Sequence, residues 1–316
     1  MDIHFHFHVM QQIQPNADMQ NQPSSNATLW HTIEQRMKEA AMSKSTSTQA
    51  NYLTATRSFR KYLKDDLPLS CITADTISGY ERWLRKQGIS LNTTSCYLRS
   101  LRSLLVSSDE KLVRAFEAVF TGSVKTDKRS VPLSTLVRLR ELTLRPASFD
   151  ELARDIFLFS FYAMGMPFVD VAHLQHKQIT DGQIVYFRQK TGQRVTIALE
   201  PPMQSIINRH TERAAANYVF PLLQKGTDHE YQVVLGRYNR ALVRLSKKAG
   251  IGCRLTSYVV RHSWASTAYS ANVDLPVISK ALGHTNPNTT LTYIREIDDL
   301  RLQEANHQII SMVEQG

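Results

Sequence analysis

The sequence predicts a mainly α-helical protein with one small β-sheet, an α+β fold. Apolar residues return at three- and four-residue spacing through residues 29–122 and again in most segments after residue 133, which is the period of amphipathic helices. One segment, DGQIVYFRQKTGQRVTIAL, instead has the pattern of two strands joined by a turn. Hydrophobic residues make up 42% of the 316 residues and charged residues 21%. These values are typical of soluble globular proteins, and the length allows about two domains.

Residues 1–28 form a predicted flexible tail, because they are polar and rich in Asn and Gln. Within it His4, His6 and His8 alternate with phenylalanines, so an extended strand would present three imidazoles on one face, an arrangement that binds metal ions. A loose tail or an edge strand without a metal is the alternative. We favour this alternative and predict no metal site.

Residues 29–122 predict a helical domain of four or so short helices. The predicted helices are residues 29–42, residues 48–63, a third that begins after Thr73 and ends near Gly88, and residues 93–106 capped by Asn92. In the fourth helix Arg99, Ser100, Arg102 and Ser103 lie opposite the leucines. This face is either simply solvated or binds phosphate groups.

The chain carries an excess of cations, with a formal net charge of +10 at pH 7. This excess favours a polyanionic partner, nucleic acid first, although many soluble proteins are mildly basic for no such reason. Residues 123–132 are small, polar and basic, and predict an interdomain linker. We expect Lys128 and Arg129 in this linker, together with Arg99 and Arg102, to contact DNA.

Residues 133–316 predict a second, mainly helical domain that contains the small sheet. Its predicted helices cover residues 133–142, 149–164, 201–216, 231–249, 258–270 and 276–282, and its predicted strands cover residues 184–188 and 194–199. The residues between the strands have the pattern of a hairpin turn. Residues 298–313 form a further predicted helix, which either docks on a neighbouring copy or packs on its own domain.

Several classes of protein are excluded by the sequence. Cys71, Cys96 and Cys253 are scattered and odd in number, which argues against a disulfide scaffold or a cysteine zinc site. No run approaches the roughly 18 apolar residues that cross a bilayer, and the N-terminus lacks a secretory signal pattern. No phosphate-binding loop, dinucleotide fingerprint, zinc-protease helix or serine-hydrolase elbow is present. We therefore expect a cytoplasmic protein without a cofactor.

Basic and hydroxyl side chains gather late in the chain. Arg261 follows Tyr258 by one helical turn in LTSYVVRHSWAS, and Tyr293 follows His284 by nine residues in LGHTNPNTTLTY. With Lys190 in the predicted hairpin turn, they form a basic set with one hydroxyl nucleophile. Such a set suits attack on a phosphodiester, because cations stabilise the non-bridging oxygens of the transition state and a general acid protonates the leaving oxygen. Tyrosine has a reference pKa of about 10, so it needs cations and a base beside it to become a nucleophile.

These motifs, LGHTNPNTTLTY with RHSWAST upstream and a lysine hairpin before both, resemble the catalytic domain of the tyrosine recombinase, or phage integrase, family over residues 130–310. Residues 29–122 are similar in position and pattern to that family's SAM-like core-binding domain. The resemblance implies that Tyr293 is the nucleophile that forms a 3′-phosphotyrosyl bond. It also implies that Arg261 binds the phosphate oxygens, His284 hydrogen-bonds the scissile phosphate, and Lys190 protonates the 5′-oxygen.

Two positions depart from the family's pattern. The family's first arginine lies in a Thr-Gly-x-Arg turn that is followed three residues later by an acid, and here MGMPFVD places Pro167 at the arginine and Asp170 at the acid. The family's histidine three residues before Arg261 is here Tyr258, which forms a hydrogen bond but carries no imidazole charge. Three other arginines could supply the missing cation: Arg188, Arg194 and Arg254.

The resemblance implies an enzyme, a site-specific recombinase that cleaves and rejoins double-stranded DNA by integration, excision or inversion, without metal or ATP. A tail of only about 28 residues before the first helix, without a long N-terminal arm domain, favours a simple invertase or a resolvase-like recombinase of a mobile element. Two strand exchanges require four protomers on two DNA sites, so we expect a homotetramer, with an accessory DNA-bending protein as a further partner. Pro167 motivates an alternative, a degenerate member that occupies DNA sites or disturbs a partner recombinase without cleaving.

Overall fold

The computed structural model describes residues 28–106, 110–124, 130–215, 217–284, 286, 288–291, 306–307 and 310–311. The chain divides into two compact units, Met1–Lys125 and Thr126–Gly316. Residues 1–27 of the predicted tail, including its three histidines, lie outside the described residues. Within the described part of the chain, no helix combines the length and the apolar character needed to span a membrane.

The first unit is a bundle of helices. These are α1 (Leu29–Ser43), α2 (Thr46–Leu63), α3 (Ala74–Lys86), α4 (Leu91–Leu105) and α5 (Glu110–Ala115), with a short 3-10 turn at Leu69–Cys71. The apolar faces of α2, α3 and α4 share one core, in which Phe59, Tyr80 and Leu98 are fully buried. Phe59 and Tyr80 meet edge to face, with ring centroids 4.8 Å apart. The four predicted helices are confirmed, and α5 is an additional element.

Hydroxyl side chains cap the helices of this unit. Ser45, Thr73 and Ser90 each accept a hydrogen bond from the backbone N–H three residues later, at 3.4, 3.4 and 3.3 Å, which satisfies a donor that the first helical turn leaves unpaired. The prediction that Asn92 caps the fourth helix is therefore wrong. Asn92 lies inside α4, where its side chain bonds both the N–H and the carbonyl of Val124.

The outer face of α4 carries the predicted basic side chains. Arg99 and Arg102 are exposed, opposite the buried leucines. The assignment of Ser100 to this face is wrong, because Ser100 is only 6% exposed and its hydroxyl donates to the carbonyl four residues earlier at 2.8 Å. Ser103 is exposed, and its hydroxyl lies 2.7 Å from that of Tyr52.

The second unit is mainly helical and contains the sheet. Its helices are α6 (Leu133–Arg140), α7 (Phe149–Tyr162), α8 (Phe168–Ala172), α9 (Pro201–His210), α10 (Asp228–Lys248), α11 (Val259–Ser270), α12 (Leu275–Ala281) and α13 (Asn288–Leu291), and its strands are β1 (Ile179–Thr180), β2 (Gln183–Phe187) and β3 (Arg194–Ala198). The strongly apolar α7 packs against α6, α9, α10 and α11, with Ile156, Phe157 and Phe159 fully buried. The predicted α+β class is confirmed.

The sheet is antiparallel with the strand order β1–β2–β3. The β2–β3 hairpin is the predicted one, whereas the two-residue β1 was not predicted. Side chains of β2 alternate, so that Ile184 and Tyr186 are buried and Phe187 is exposed. Arg188 continues the inward alternation one residue beyond the strand, and it is only 7% exposed.

Several predicted helix ends in this unit are corrected. The predicted helix 149–164 ends at Tyr162 because the chain turns through left-handed backbone at Met164 and Gly165, with φ of 55° and 70°. The predicted helix 201–216 ends at His210. Helix α10 begins three residues earlier than predicted because Thr227 caps it, accepting from the N–H of Glu230 at 3.2 Å. Of the predicted helix 298–313, residues 306–307 and 310–311 are described and are helical.

Candidate active site

Arg261 lies in the first turn of α11 and is only 3% exposed. Its Nη1 donates to the carbonyl of Gly165 at 3.1 Å, and its Nη2 donates to the carbonyl of Leu282. Gly165 has a φ of +70°, and a Cβ there would lie 3.1 Å from the Cα of Arg261. Glycine therefore lets the turn after α7 approach α11 closely enough to hold the guanidinium.

His284 follows α12 and lies beside Arg261. Its Nε2 is 3.1 Å from Nη2 of Arg261, and its Nδ1 is 2.8 Å from the Oγ1 of Thr290 in α13. Because a guanidinium only donates, Nε2 is the acceptor and the proton of the neutral imidazole lies on Nδ1. Burial, followed by the charges of Arg261 and Arg188, lowers the pKa of His284 to about 4. The imidazole is therefore neutral at pH 7.

Arg188 brings a second guanidinium to the same place. Its Nε donates to Oδ2 of Asp170 at 2.9 Å, and its Nη1 donates to the carbonyl of Leu282, which also accepts from Arg261. The other oxygen of Asp170 accepts from the backbone N–H of Gln189 at 2.9 Å. Burial raises the pKa of Asp170 against the opposing effects of the Gln189 N–H and the Arg188 charge. Asp170 thus fixes both the Arg188 side chain and the first residue of the hairpin turn.

Pro167 occupies the position at which the family's pattern places an arginine. It precedes α8, and its carbonyl accepts from the N–H groups of Asp170 and Val171 at 2.9 and 3.0 Å. Proline has neither a backbone N–H nor a charged side chain, so it supplies no donor to the cluster. The helix that begins here nevertheless places Asp170 against Arg188.

Lys190 and Tyr258 are more exposed than the arginines. Lys190 lies in the turn between β2 and β3, which closes where the N–H of Gly192 donates to the carbonyl of Arg188 at 2.8 Å. Tyr258 immediately precedes α11, one turn before Arg261, and is 56% exposed. Its ring meets that of the neighbouring His262 edge to face, with centroids 5.1 Å apart.

The structure brings together Arg261 and His284 among the predicted catalytic residues, and adds Arg188 from the three alternatives. Arg194 and Arg254 are exposed. Three further predicted site residues lie outside the described residues: Tyr293, Lys128 and Arg129.

Two contributors to the site were missed by sequence reasoning. Thr290 hydrogen-bonds His284, and the carbonyl of Leu282 joins the two arginines. Both lie within the motif LGHTNPNTTLTY, but the motif assigns neither a role, because one is a common residue in a short helix and the other acts through its backbone.

The described part of this cluster has a surplus of positive charge. Arg188 and Arg261 are both cations, and Asp170, the partner of Arg188, can offset only one of them. His284 is neutral at pH 7 and adds no charge. Buried charges are stable when they are paired, so a surplus cation favours an anionic ligand. The arrangement is suited to binding a monoanion such as a phosphodiester.

Family models match both units of the chain. Residues 28–108 match the phage integrase SAM-like domain, and residues 143–299 match the phage integrase family. The second range includes Asp170, Arg188, Arg261 and His284, and also Tyr293.

Named relatives belong to the same family. The chain is 22% identical over 228 residues to the tyrosine recombinase XerA of Pyrococcus horikoshii, which covers 70% of this chain and 75% of the relative. It is 26% identical over 236 residues to the tyrosine recombinase XerD of Halalkalibacterium halodurans, which covers 70% of this chain and 77% of the relative.

The solved structures support the fold. A lambda integrase dimer bound to a core site matches with a TM-score of 0.67 at 17% identity, covering 86% of this chain and 98% of that one. A XerH site-specific recombinase bound to a palindromic substrate matches with a TM-score of 0.62 at 19% identity, covering 87% and 83%. The family matches, the relatives and the shared fold agree, and the chain belongs to the phage integrase, or tyrosine recombinase, family.

Proposed function

We propose that this chain is a site-specific recombinase that cleaves and rejoins double-stranded DNA through Tyr293. The observation that carries the proposal is the pair of buried guanidinium groups, Arg188 and Arg261, that meet at the carbonyl of Leu282 beside a neutral His284. Fixed cations of this kind stabilise the charge that develops on a phosphate in the transition state. Tyr293 follows His284 by nine residues, as in the family's nucleophile motif.

In the cleavage step the hydroxyl oxygen of Tyr293 attacks the phosphorus. A 3′-phosphotyrosyl bond forms as the bond between phosphorus and the 5′-oxygen breaks. The tyrosine proton passes to a base or to water, and Lys190 donates a proton to the 5′-oxygen, so that the free strand end leaves as a hydroxyl. Rejoining reverses these steps with the 5′-hydroxyl of another strand. The phosphodiester bond is exchanged rather than hydrolysed, so the cycle needs neither ATP nor a metal ion.

The side chains around the phosphate have separate roles in this scheme. Arg261 binds the non-bridging oxygens, and its contacts with Gly165 and Leu282 hold it in position before DNA arrives. His284 carries no charge at pH 7, and it can donate to the phosphate only with its proton on Nε2. We therefore propose that the phosphate displaces the contact between Nε2 and Arg261, and that the ring then donates from Nε2 while Nδ1 accepts from the Thr290 hydroxyl. Tyr258, which is 56% exposed and lies one turn before Arg261, donates a hydrogen bond to the phosphate in place of the family's histidine.

The proposed partner is duplex DNA that carries a specific recombination site. We assign residues 29–122 as the core-binding domain, residues 123–132 as the linker and residues 133–316 as the catalytic domain. Arg99 and Arg102 on α4 contact the phosphate backbone, together with Lys128 and Arg129 of the linker. Lambda integrase has been solved on a core site and as a tetramer on a Holliday junction. By analogy, four copies of this chain assemble on two DNA sites.

A covalent trap tests this function. Nicked duplexes, drawn from repeats that flank the chain's own gene, lose a short 5′-hydroxyl fragment after cleavage, so that the protein stays attached to the DNA on a denaturing gel. We expect a shifted band with the unchanged protein, no band with Tyr293→Phe, and a normal band with Tyr97→Phe, which changes a tyrosine of the helical unit. A band that persists with Tyr293→Phe would overturn the assignment of the nucleophile.

Pro167 motivates a second candidate function, a member that binds its DNA site without cleaving. The same experiment separates the two, because both bind DNA and only one forms a covalent product. Absence of the band on DNA that the protein demonstrably binds would support the second function.

A further inference from the structure

The family's pattern expects two arginines at the phosphate, and one of them is replaced here by Pro167. A missing cation of this kind costs about 10²–10³ in rate when nothing replaces it. The proposed recombinase activity therefore requires a second cation from elsewhere in the fold. Among the described residues, the second guanidinium in contact with the Arg261 environment belongs to Arg188, at the end of β2.

Arg188 and Arg261 lie close enough to hold one phosphate between them. Both donate to the same carbonyl oxygen, that of Leu282. Two nitrogens that bond one oxygen lie within roughly 6 Å of each other, since each hydrogen bond is about 3 Å long. The non-bridging oxygens of a phosphate span a smaller distance, so one phosphate can accept from both guanidinium groups.

The geometry of Arg188 leaves one donor group for a ligand. Its Nε is bound to Asp170 and its Nη1 to Leu282. Within the described ranges, Nη2 has no hydrogen-bond partner, and it is not among the fully buried atoms that lack one. The guanidinium of Arg188 is thus held through Nε and Nη1, and its Nη2 can donate to a ligand, as in a preformed anion site.

The two other arginines do not meet these conditions. Arg194 begins β3 on the outward-facing side, in register with the exposed Phe187. Arg254 is exposed in the loop before α11. Neither donates to Leu282 or pairs with Asp170, whose described partners are Arg188 and the N–H of Gln189.

We propose that Arg188 is a catalytic residue that binds a non-bridging oxygen of the scissile phosphate beside Arg261, and so replaces the arginine that is absent at Pro167. This inference rests on the proposed recombinase function. Asp170 is a positioning residue, because it acts on the phosphate only through Arg188. The pair also places the cation immediately before the turn that carries Lys190.

The test compares cleavage of two nicked duplexes, one with a normal scissile phosphate and one with an uncharged methylphosphonate at that position. We expect Arg188→Ala to bind DNA but to cleave the normal duplex about 10²–10³-fold more slowly than the unchanged protein. The methylphosphonate carries no charge for Arg188 to neutralise. On that duplex the ratio of the two cleavage rates, unchanged protein over Arg188→Ala, should be smaller by about tenfold or more. Arg194→Ala is the matched control, and it should cleave both duplexes at nearly the normal rate.

A purely structural role predicts a different result. If Arg188 only supports the hairpin, the loss will be the same on both duplexes, and this outcome would overturn the inference. Arg188→Ala leaves the Asp170 carboxylate buried without its partner and could fail to fold. In that case the test uses the double variant Arg188→Met with Asp170→Asn, which removes both charges of the pair. Rapid cleavage by either folded variant would also overturn it. Failure of the unchanged protein to cleave would instead refute the recombinase function, so the two failures are distinguishable.

Discussion

Asp170 holds Arg188 by a 2.9 Å hydrogen bond from Nε to Oδ2, and the two side chains are 1% and 8% exposed. The residues come from α8 and from the end of β2, so the pair ties a helix to the sheet. A buried pair of this kind contributes little beyond what an apolar pair would, but removing one partner leaves the other charge unpaired. The pair therefore has consequences for stability as well as for the site.

Asp170→Ala should lower the free energy of unfolding by about 3–5 kcal/mol, because it leaves the Arg188 cation buried without its carboxylate. Urea denaturation measures this change. The control is Asp150→Ala, which removes the partner of Arg244 and Lys248, whose side chains are 52% and 57% exposed, and should cost about 0–1 kcal/mol. Equal effects of the two substitutions would contradict the buried pairing.

Gly283→Ala should damage the site directly. Gly283 has a φ of +63°, and a Cβ there would lie 3.2 Å from side-chain carbons of Arg188 and Val195. The left-handed backbone costs about 1–2 kcal/mol for a residue with a Cβ, and the close contacts add overpacking and displace Arg188. We expect lower stability in urea denaturation and slower covalent complex formation.

Gly250→Ala is the matched control for this change. Gly250 has a φ of +61°, and a Cβ there would meet open space, with no atom of a non-neighbouring residue within 4 Å. Gly250→Ala should therefore lose only the stability that left-handed backbone costs a residue with a Cβ, and it should cleave DNA normally. If both variants cleave equally well, the packing of Gly283 against Arg188 is not needed for activity.

His284 should make the folded state sensitive to acid. Burial, with the charges of Arg261 and Arg188, lowers its pKa from 6.5 to about 4 in the folded protein. Between these two values the unfolded chain binds a proton that the folded chain does not, so stability falls as the pH falls. The decrease begins near the unfolded pKa and levels off below the folded one. Melting temperatures measured across this range should fall more for the unchanged protein than for His284→Asn. Parallel curves would contradict the assigned pKa.

Arg99→Ala and Arg102→Ala should each weaken binding to all DNA sequences by a similar factor. Each substitution removes one proposed phosphate contact, so the slope of log K against log salt concentration should decrease by about 1. Titrations at several salt concentrations measure this slope. Arg36→Ala is the control, because the Arg36 guanidinium is already paired with Glu39 at 3.0 Å. An equal change of slope in the control would show that the attraction is not localised on α4.

Much of the fold follows from local pattern in the sequence. The apolar stripes of α2, α3 and α4 and the alternation of β2 are visible because burial of one face imposes a period. Helix ends are less predictable, since they depend on a single cap. Ser90 and Asn92 are both good N-cap residues, and the choice of Ser90 leaves Asn92 to bind Val124 in a distant part of the chain.

The site is predictable only where it consists of side chains in a recognisable order. The motifs contain Arg261, His284 and also Leu282, but Leu282 acts through its carbonyl, and the identity of a side chain does not reveal such a role. The alternation of buried and exposed residues along the strands distinguishes Arg188 from Arg194. Arg188 follows the buried Ile184 and Tyr186 at intervals of two, while Arg194 is out of phase with Val195 and Ile197. A charged residue in a buried phase needs a partner, and Asp170 is that partner.

The decisive test of the proposed cleavage step is to identify the protein residue that becomes attached to DNA. The covalent complex from a nicked duplex is digested with protease and nuclease, and tandem mass spectrometry locates the residual nucleotide. We expect a nucleotide on Tyr293, linked through its 3′-phosphate. A nucleotide on any other residue, or a link through a 5′-phosphate, would contradict it.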